Sequence, residues 1–204
     1  MPRAKQRTPE LRDRVLAVAI ALLARDGAVG FTTRAVAREA ETSPPAVYEL
    51  FGDKGGLVRA MFFEGFRRLR ARLDSVPQSD DPRADLVQLI ANYRDFVREH
   101  PVLSEVMFSR PFTDFDPGPT ERDASGSVRL LIVERVRRCV DAGIVSGDET
   151  DIAHALVALT QGLAAAENAR RLGTSRESVD RRWALAVNGL LDGLGMPGLY
   201  TIAR

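Results

Sequence analysis

The sequence is poor in the residues from which cross-links, metal sites and membrane spans are built. Its 204 residues include one cysteine and two histidines. The single thiol, Cys139, excludes an intrachain disulfide and fits a reducing cytoplasm. His100, Cys139 and His154 do not have the spacing of metal ligands. No apolar run reaches the roughly 18 residues of a membrane span, and no signal-peptide stretch follows the basic N-terminus.

Motifs of enzyme chemistry are also missing. The sequence contains no Walker loop and no GxGxxG, and the glycines of residues 52–56 (GDKGG) stand in the wrong context to hold a phosphate. No set of nucleophile, base and acid is suggested either. We therefore expect a protein that is not an enzyme and that needs no metal or cofactor.

Charge is distributed unevenly along the chain. The net charge is +1, yet the first 72 residues hold 14 Lys or Arg against 8 Asp or Glu, and the remainder holds 15 against 20. A basic first third beside an acidic remainder suggests that one end of the chain meets a polyanion. Taken alone, this pattern is equally compatible with an ordinary solvated surface.

Helical signals dominate the sequence, and strand-like alternation is rare. Thr8-Pro9 and Ser43-Pro44 pair a capping hydroxyl with a proline at the first helical position. With two prolines at its start, the helix after Ser43 offers that hydroxyl only the N–H of Ala46. Apolar residues recur at three- and four-residue spacing, which predicts an all-α fold. We expect about nine helices, near 9–27, 33–40, 44–51, 53–76, 82–99, 101–108, 119–142, 149–172 and 175–194.

The first three helices have the arrangement of a helix-turn-helix. The second and third are short and are joined by only Glu41-Thr42-Ser43. In such a unit the third helix packs by one face and presents the other to the major groove of DNA. We therefore predict a DNA-binding domain over residues 1–55, and a six-helix domain for ligand binding and dimerisation over residues 56–204.

The residue types around the second and third helices narrow the choice of family. Residues 31–40 (FTTRAVAREA) and 43–57 (SPPAVYELFGDKGGL) resemble the N-terminal signature of the tetracycline-repressor family in both spacing and residue type. The resemblance covers roughly residues 10–62 and implies that Thr33, Tyr48 and Lys54 contact phosphates. It also implies that Arg34 reaches a base edge or a phosphate. The DNA-binding residues that we expect are Thr33, Arg34, Ser43, Pro44, Pro45, Tyr48 and Lys54.

Two departures from the family pattern bear on DNA reading. Glu41 stands where the family commonly has a glycine, and a left-handed glutamate costs roughly 1–2 kcal/mol. In addition, Pro44, Pro45 and Ala46 offer only apolar contact, for example to thymine methyls. We therefore expect the third helix to read few bases directly. Arg34, the basic N-terminus and DNA shape are expected to supply much of the sequence specificity.

Two sets of residues in the rest of the chain, apolar except for the polar Gln161, have alternative interpretations. We predict that the first set lines a pocket for a small-molecule effector; the alternative is that these residues belong to an ordinary core. The members of this set are Phe62, Phe66, Tyr93, Phe96, Met107, Phe108, Phe112 and Gln161. The second lies on the last two helices, which in the family form a four-helix dimer interface. The alternative is that these residues are buried within one chain. The members of the second set are Leu156, Leu159, Leu163, Trp183, Val187 and Leu190.

These features predict a homodimeric, cytoplasmic regulator that binds a double-stranded DNA operator. The resemblance implies that it is a repressor that a small apolar ligand releases. The alternative is a helical small-molecule-binding protein with a vestigial DNA reader. Salt-dependent, sequence-specific DNA binding distinguishes the two.

Overall fold

A computed structural model describes residues 8–109, 112, 115 and 117–195, and these ranges contain nine α-helices and no strand. The predicted all-α class and number of helices are therefore confirmed. In chain order the helices are α1 (Pro9–Gly30), α2 (Thr33–Glu39), α3 (Pro44–Phe51), α4 (Lys54–Asp74), α5 (Pro82–Glu99), α6 (Pro101–Phe108), α7 (Pro119–Asp141), α8 (Glu149–Asn168) and α9 (Arg176–Leu194).

Two features are absent from the described ranges. No helix there combines the length and the hydropathy needed to cross a bilayer. No group of three or more His, Cys, Asp or Glu side chains there is placed to hold a metal ion.

Side-chain caps start the first three helices. The hydroxyl of Thr8 accepts the N–H of Leu11 at 3.3 Å, and the hydroxyl of Thr32 accepts the N–H of Ala35 at 3.1 Å. Ser43 accepts the N–H of Ala46 at 3.3 Å, as predicted from the prolines that follow it. Each cap satisfies an amide that has no partner inside its own helix.

The ends of α1 and α8 differ most from the prediction. Gly27 leaves the helical conformation with φ 64°, but a further turn carries α1 on to Gly30. Helix α8 ends at Asn168 rather than near residue 172. There Arg170 adopts φ 56°, and the N–H of Arg171 bonds back to the carbonyl of Ala166 at 2.8 Å. Periodicity could not locate this end, because a left-handed arginine has no sequence signal.

The chain divides into two compact units, each made of two segments. The first comprises residues 1–68 and 100–124, and the second comprises residues 69–99 and 125–204. This division reflects packing, whereas the predicted boundary at residue 55 concerns function and stays a prediction.

In the first unit α1 packs against α2 and α6, and α4 approaches α6 very closely. A Cβ on Gly65 of α4 would lie 2.4 Å from the sulfur of Met107 of α6. Since real Cβ atoms do not approach another atom so closely, only glycine permits this contact without a shift of Met107.

In the second unit α8 packs against both α5 and α9. Arg94 of α5 binds Glu167 of α8 at 2.8 Å and lies 5.0 Å from the ring centroid of Trp183 of α9. The indole N–H of Trp183 donates to the same Glu167 carboxylate at 2.6 Å. One carboxylate and one guanidinium therefore join all three helices.

A second polar group, at the start of α5, is almost fully buried. The carboxylate of Asp85 is 7% exposed and accepts bonds from Arg138 at 2.6 Å, from the Ser79 hydroxyl at 2.7 Å and from the Ser79 N–H at 2.8 Å. The bond from Arg138, followed by those from Ser79, lowers the pKa of Asp85 to about 2. Folding therefore favours the ionised form of Asp85.

We predict that Asp85→Asn destabilises the protein in a pH-dependent way. Because the folded pKa lies below the unfolded one, the carboxylate stabilises the fold fully above about pH 4 and loses that effect as pH falls toward 2. Urea unfolding should show a large deficit at pH 7 that narrows between pH 4 and pH 3. Asp74→Asn, which breaks the exposed Arg70–Asp74 pair, is the control and should have little effect. An equal deficit for Asp85→Asn at pH 7 and pH 3 would contradict the assignment.

Candidate nucleic-acid interface

The turn between α2 and α3 contains a left-handed glutamate. Glu41 has φ 51°, its N–H bonds to the carbonyl of Arg38, and the N–H of Thr42 bonds to the carbonyl of Ala37 at 2.9 Å. These two bonds form a Schellman motif, which ends a helix and is usually closed by glycine. The turn therefore keeps the ordinary helix-turn-helix geometry, and Glu41 bears the backbone strain.

Helix α1 holds both short helices by basic side chains. The Nε of Arg14 donates to the carbonyl of Ala40 at 3.2 Å and so satisfies the end of α2. The guanidinium of Arg12 lies 5.0 Å from the ring centroid of Phe51, at the end of α3. Both contacts fix the α2–α3 pair against α1.

Most of the predicted DNA-binding residues have accessible side chains. Arg34, Ser43, Pro45, Tyr48 and Lys54 are exposed. Contacts bring three of them together: Tyr48 bonds to Thr33, which is next to Arg34, and Lys54 lies over Phe31, two residues before Thr33. Tyr48 of α3 and Lys54 of α4 therefore both contact residues at the start of α2, where Arg34 is exposed.

The other two predicted residues, Pro44 and Thr33, are less accessible. Pro44 is half-buried. Thr33 is 8% exposed, and its hydroxyl lies 3.0 Å from the phenolic oxygen of Tyr48, which is 46% exposed. The hydroxyl of Thr33 thus has a partner within the protein, and this bond fixes the direction of the Tyr48 ring.

The junction of α3 and α4 is built on two glycines. Gly52 takes φ 81°, and its N–H bonds to the carbonyl of Tyr48 at 2.8 Å. Asp53 then caps α4 by accepting the N–H of Gly56 at 2.7 Å. A Cβ on Gly56 would lie 1.7 Å from the carbonyl oxygen of Phe51, so only glycine allows the two helices to meet in this way.

Sequence reasoning missed two features of this surface. Arg38 lies one turn after Arg34 on α2 and its side chain is 76% exposed, with Glu39 as a weak partner at 3.9 Å. The i, i+4 spacing of the two arginines could have indicated a shared face. The second feature is the contact of Lys54 with the rings of Phe31 and Phe112, 5.6 and 5.2 Å away. Residues so far apart in sequence leave no local pattern.

The predicted effector residues fall into two groups. Phe62, Phe66, Met107, Phe108 and Phe112 belong to the first unit, whereas Tyr93, Phe96 and Gln161 belong to the second. In the first unit the ring of Phe66 lies 4.8 Å from that of Phe62 and 5.8 Å from that of Phe108, between centroids. Phe115 adds a ring 5.6 Å from Phe62. Burial raises the pKa of Tyr93 above its ordinary value.

A buried carboxylate lies beside these rings. Glu121, at the start of α7, is 4% exposed and binds Arg59 of α4 at 2.5 Å, while the guanidinium of Arg59 lies 6.0 Å from the ring centroid of Phe115. Burial opposes the ionisation of Glu121. Hydrogen bonds from the backbone and from Arg59 outweigh that effect and hold its pKa below the ordinary value.

The predicted dimer residues also fall into two groups. Leu156, Trp183 and Val187 are 2–4% exposed, so the chain's own core already removes their apolar area from water. The periodicity that selected these three therefore marks the inward faces of α8 and α9. Leu159, Leu163 and Leu190 are half-buried, and Leu185, which the prediction omitted, is 75% exposed.

Comparison with known proteins finds family models for both parts of the chain. The model described as "Bacterial regulatory proteins, tetR family" matches residues 15–61, and "Tetracyclin repressor-like, C-terminal domain" matches residues 86–190. No relative of this chain is found among curated proteins.

Solved structures share the fold over nearly the whole chain. A Rhodococcus sp. RHA1 protein of unknown function is 28% identical, with TM-score 0.80 over 94% of this chain and 99% of its own. A tetR-family regulatory protein from Rhodococcus RHA1 is 21% identical, with TM-score 0.73 over 94% and 100%. PfmR, a TetR-family transcriptional regulator from Thermus thermophilus, is 18% identical, with TM-score 0.70 over 86% and 98%.

We predict that Glu41→Gly stabilises the protein. A left-handed backbone costs an L-residue roughly 1–2 kcal/mol that glycine does not bear, so the free energy of unfolding should rise by about 1 kcal/mol. Glu41→Ala is the matched control, because it removes the carboxylate and keeps the backbone penalty. Equal urea midpoints for the two variants would show that the turn is not strained at this position.

Proposed function

The chain belongs to the tetracycline-repressor family of bacterial transcriptional regulators, and from that premise we propose that it is a homodimeric repressor that a small apolar ligand releases from its operator. Membership of this family supports DNA binding through a helix-turn-helix. The direction of regulation, the ligand, the dimer and the residues that act are our proposal.

The shared surface of α2, α3 and the start of α4 carries this proposal. Arg34, Tyr48 and Lys54 are exposed there, and Tyr48 and Lys54 contact Thr33 and Phe31 beside the start of α2. A phenol and an ammonium hold phosphate oxygens, and the fork of an arginine suits the two acceptors of guanine. Thr33 supports the contact by holding Tyr48, since its own hydroxyl is nearly buried.

Base reading by α3 is mostly apolar. Helix α3 begins with Pro44 and Pro45, which lack an N–H, so the turn that enters the groove offers few hydrogen-bond donors. Pro45 is exposed and suits a thymine methyl group. Arg34 and Arg38 on α2 then supply the polar contacts, and DNA shape adds to the specificity.

The aromatic cluster of the first unit supports an apolar effector. Phe62, Phe66, Phe108 and Phe115 meet edge to face or tilted, and Met107, next to Phe108 in the chain, packs against Gly65. Sites for small molecules are mostly apolar with a few polar groups, and Glu121 with Arg59 supplies such a group here. A ligand releases DNA only if it binds the DNA-free conformation more tightly.

A dimer provides the second reader that a two-fold operator needs. Residues with apolar area still accessible in one chain are candidates for the interface, namely Leu159 and Leu163 of α8 with Leu185 and Leu190 of α9. Ala155, Ala158 and Gly162 are exposed on α8 and are small enough to allow close helix approach.

The test selects a binding site from random duplexes and then measures affinity for it against a scrambled duplex from 50 to 200 mM salt. We expect a two-fold site and a log–log salt slope of several units, because each neutralised phosphate contributes about −0.9. Arg34→Ala should relax the preference at one base pair by about 1–3 kcal/mol.

The control is Arg176→Ala, which removes the same charge from a side chain that is 80% exposed on α9. It should leave the selected sequence and the affinity unchanged. Enrichment of no sequence, or equal binding to selected and scrambled duplexes, would refute the proposal and favour a small-molecule-binding protein whose reader is vestigial.

A further inference from the structure

The ammonium group of Lys54 lies over two phenylalanine rings from distant parts of the chain. Its Nζ is 5.6 Å from the ring centroid of Phe31 and 5.2 Å from that of Phe112. The two rings touch, with centroids 5.5 Å apart and planes inclined at 51°. A cation within about 6 Å of an aromatic face is attracted to it, so both rings act on the same ammonium.

The two rings differ in how they are held. Phe31 is 0% exposed and belongs to the core between α1 and α2, whereas Phe112 is half-buried and follows α6. Lys54 remains exposed as the first residue of α4. The rings therefore leave part of the ammonium accessible, and its N–H groups can still donate to a phosphate.

This arrangement reduces the freedom of a flexible side chain. A lysine carries about 2 kcal/mol of rotamer entropy, part of which is lost whenever its ammonium is fixed on a partner. A contact that fixes the ammonium before DNA arrives removes part of that loss from the binding step. The affinity gained depends on both rings, and one of them lies outside the helix-turn-helix.

We propose that Phe112 is a positioning residue for DNA binding, because with Phe31 it forms a two-ring seat that holds Lys54 where a phosphate meets it. This inference rests on the proposed function, since the partner of the ammonium is the DNA backbone. It adds to the DNA reader a residue that follows α6, in a segment that the family signature at residues 10–62 does not include.

A second contact ties the same segment to α4. Arg59, five residues after Lys54, binds the buried Glu121 and lies over the ring of Phe115. Glu121 also accepts the N–H of Gly118 at 2.9 Å. Lys54 of α4 thus contacts the ring of Phe112, and Arg59 of α4 contacts Phe115 and Glu121.

The test is a double-mutant cycle on the selected DNA site with Phe112→Leu, Lys54→Met and the double variant. Phe112→Leu keeps an apolar side chain and removes the ring, so we expect about three- to tenfold weaker binding. In the Lys54→Met background the same change should have no further effect. Phe63→Leu, at another half-buried ring, is the matched control and should bind DNA like the parent.

Two further measurements separate positioning from a general structural role. Lys54→Met should lower the salt slope by about 0.9, whereas Phe112→Leu should leave it unchanged because the ammonium still neutralises its phosphate. In the DNA-free protein, NMR should show ring-current shifts on the Lys54 Hε protons that decrease in Phe112→Leu.

The outcomes distinguish this inference from the proposed function. Strong DNA binding together with additive effects of the two substitutions, or with no effect of Phe112→Leu, would overturn the seat and leave the regulator intact. Absent ring-current shifts would overturn the seat by themselves. A parent protein without preference for any duplex would overturn the proposed function, and with it the role of Phe112 in DNA binding.

Discussion

The contact between Gly56 and the carbonyl oxygen of Phe51 is the constraint on which the proposed DNA-binding surface depends. With 1.7 Å between that oxygen and the position of a Cβ on residue 56, α3 and α4 meet at a distance that no other amino acid permits. Tyr48 lies on one side of this junction and Lys54 on the other. Their separation is therefore limited by a contact of backbone atoms, which no change of side-chain rotamer can relieve.

A second glycine contact positions α4 elsewhere in the first unit. Gly65 lets α4 approach Met107 of α6, and the aromatic cluster fills the space around that contact. Arg59 is then paired with Glu121, and Lys54 lies over the ring of Phe112. A ligand that rearranged these rings would act on α4 directly, and through the glycine junction it would act on the recognition helix α3. Differential binding of a ligand to two such arrangements is what the proposed release from DNA requires.

The sequence predicted what local rules determine. The caps of Thr8 and Ser43 depend on residues three positions away, and the prolines after Ser43 left a single amide for its hydroxyl, so these helix starts were predictable. The helix-turn-helix and the all-α class followed from caps, from periodicity and from the short link of residues 41–43. The left-handed conformation of Glu41 was only a conditional prediction, because a glutamate gives no sign of it.

What the sequence could not give depends on contacts between distant residues. An apolar period on α8 or α9 predicts burial but cannot say whether a second chain or the same chain provides it, and Leu156, Trp183 and Val187 are buried by their own chain. The contacts of Tyr48 with Thr33 and of Lys54 with its two rings join separate parts of the chain. Neither leaves a trace in composition or periodicity. The roles that we give these residues in DNA binding rest on that geometry.

The most direct test of this account compares the DNA affinity of Gly56→Ala with that of Gly55→Ala. The two positions are neighbours in the first turn of α4, but a Cβ on Gly55 would meet only the flexible carboxylate of Asp53, at 3.2 Å. We expect Gly56→Ala to lose at least about tenfold in specific affinity, the equivalent of about 1.4 kcal/mol, with its helical circular dichroism retained. Gly55→Ala should bind like the parent protein. Equal affinities for the two variants would contradict the claim that the α3–α4 junction sets the DNA-binding surface.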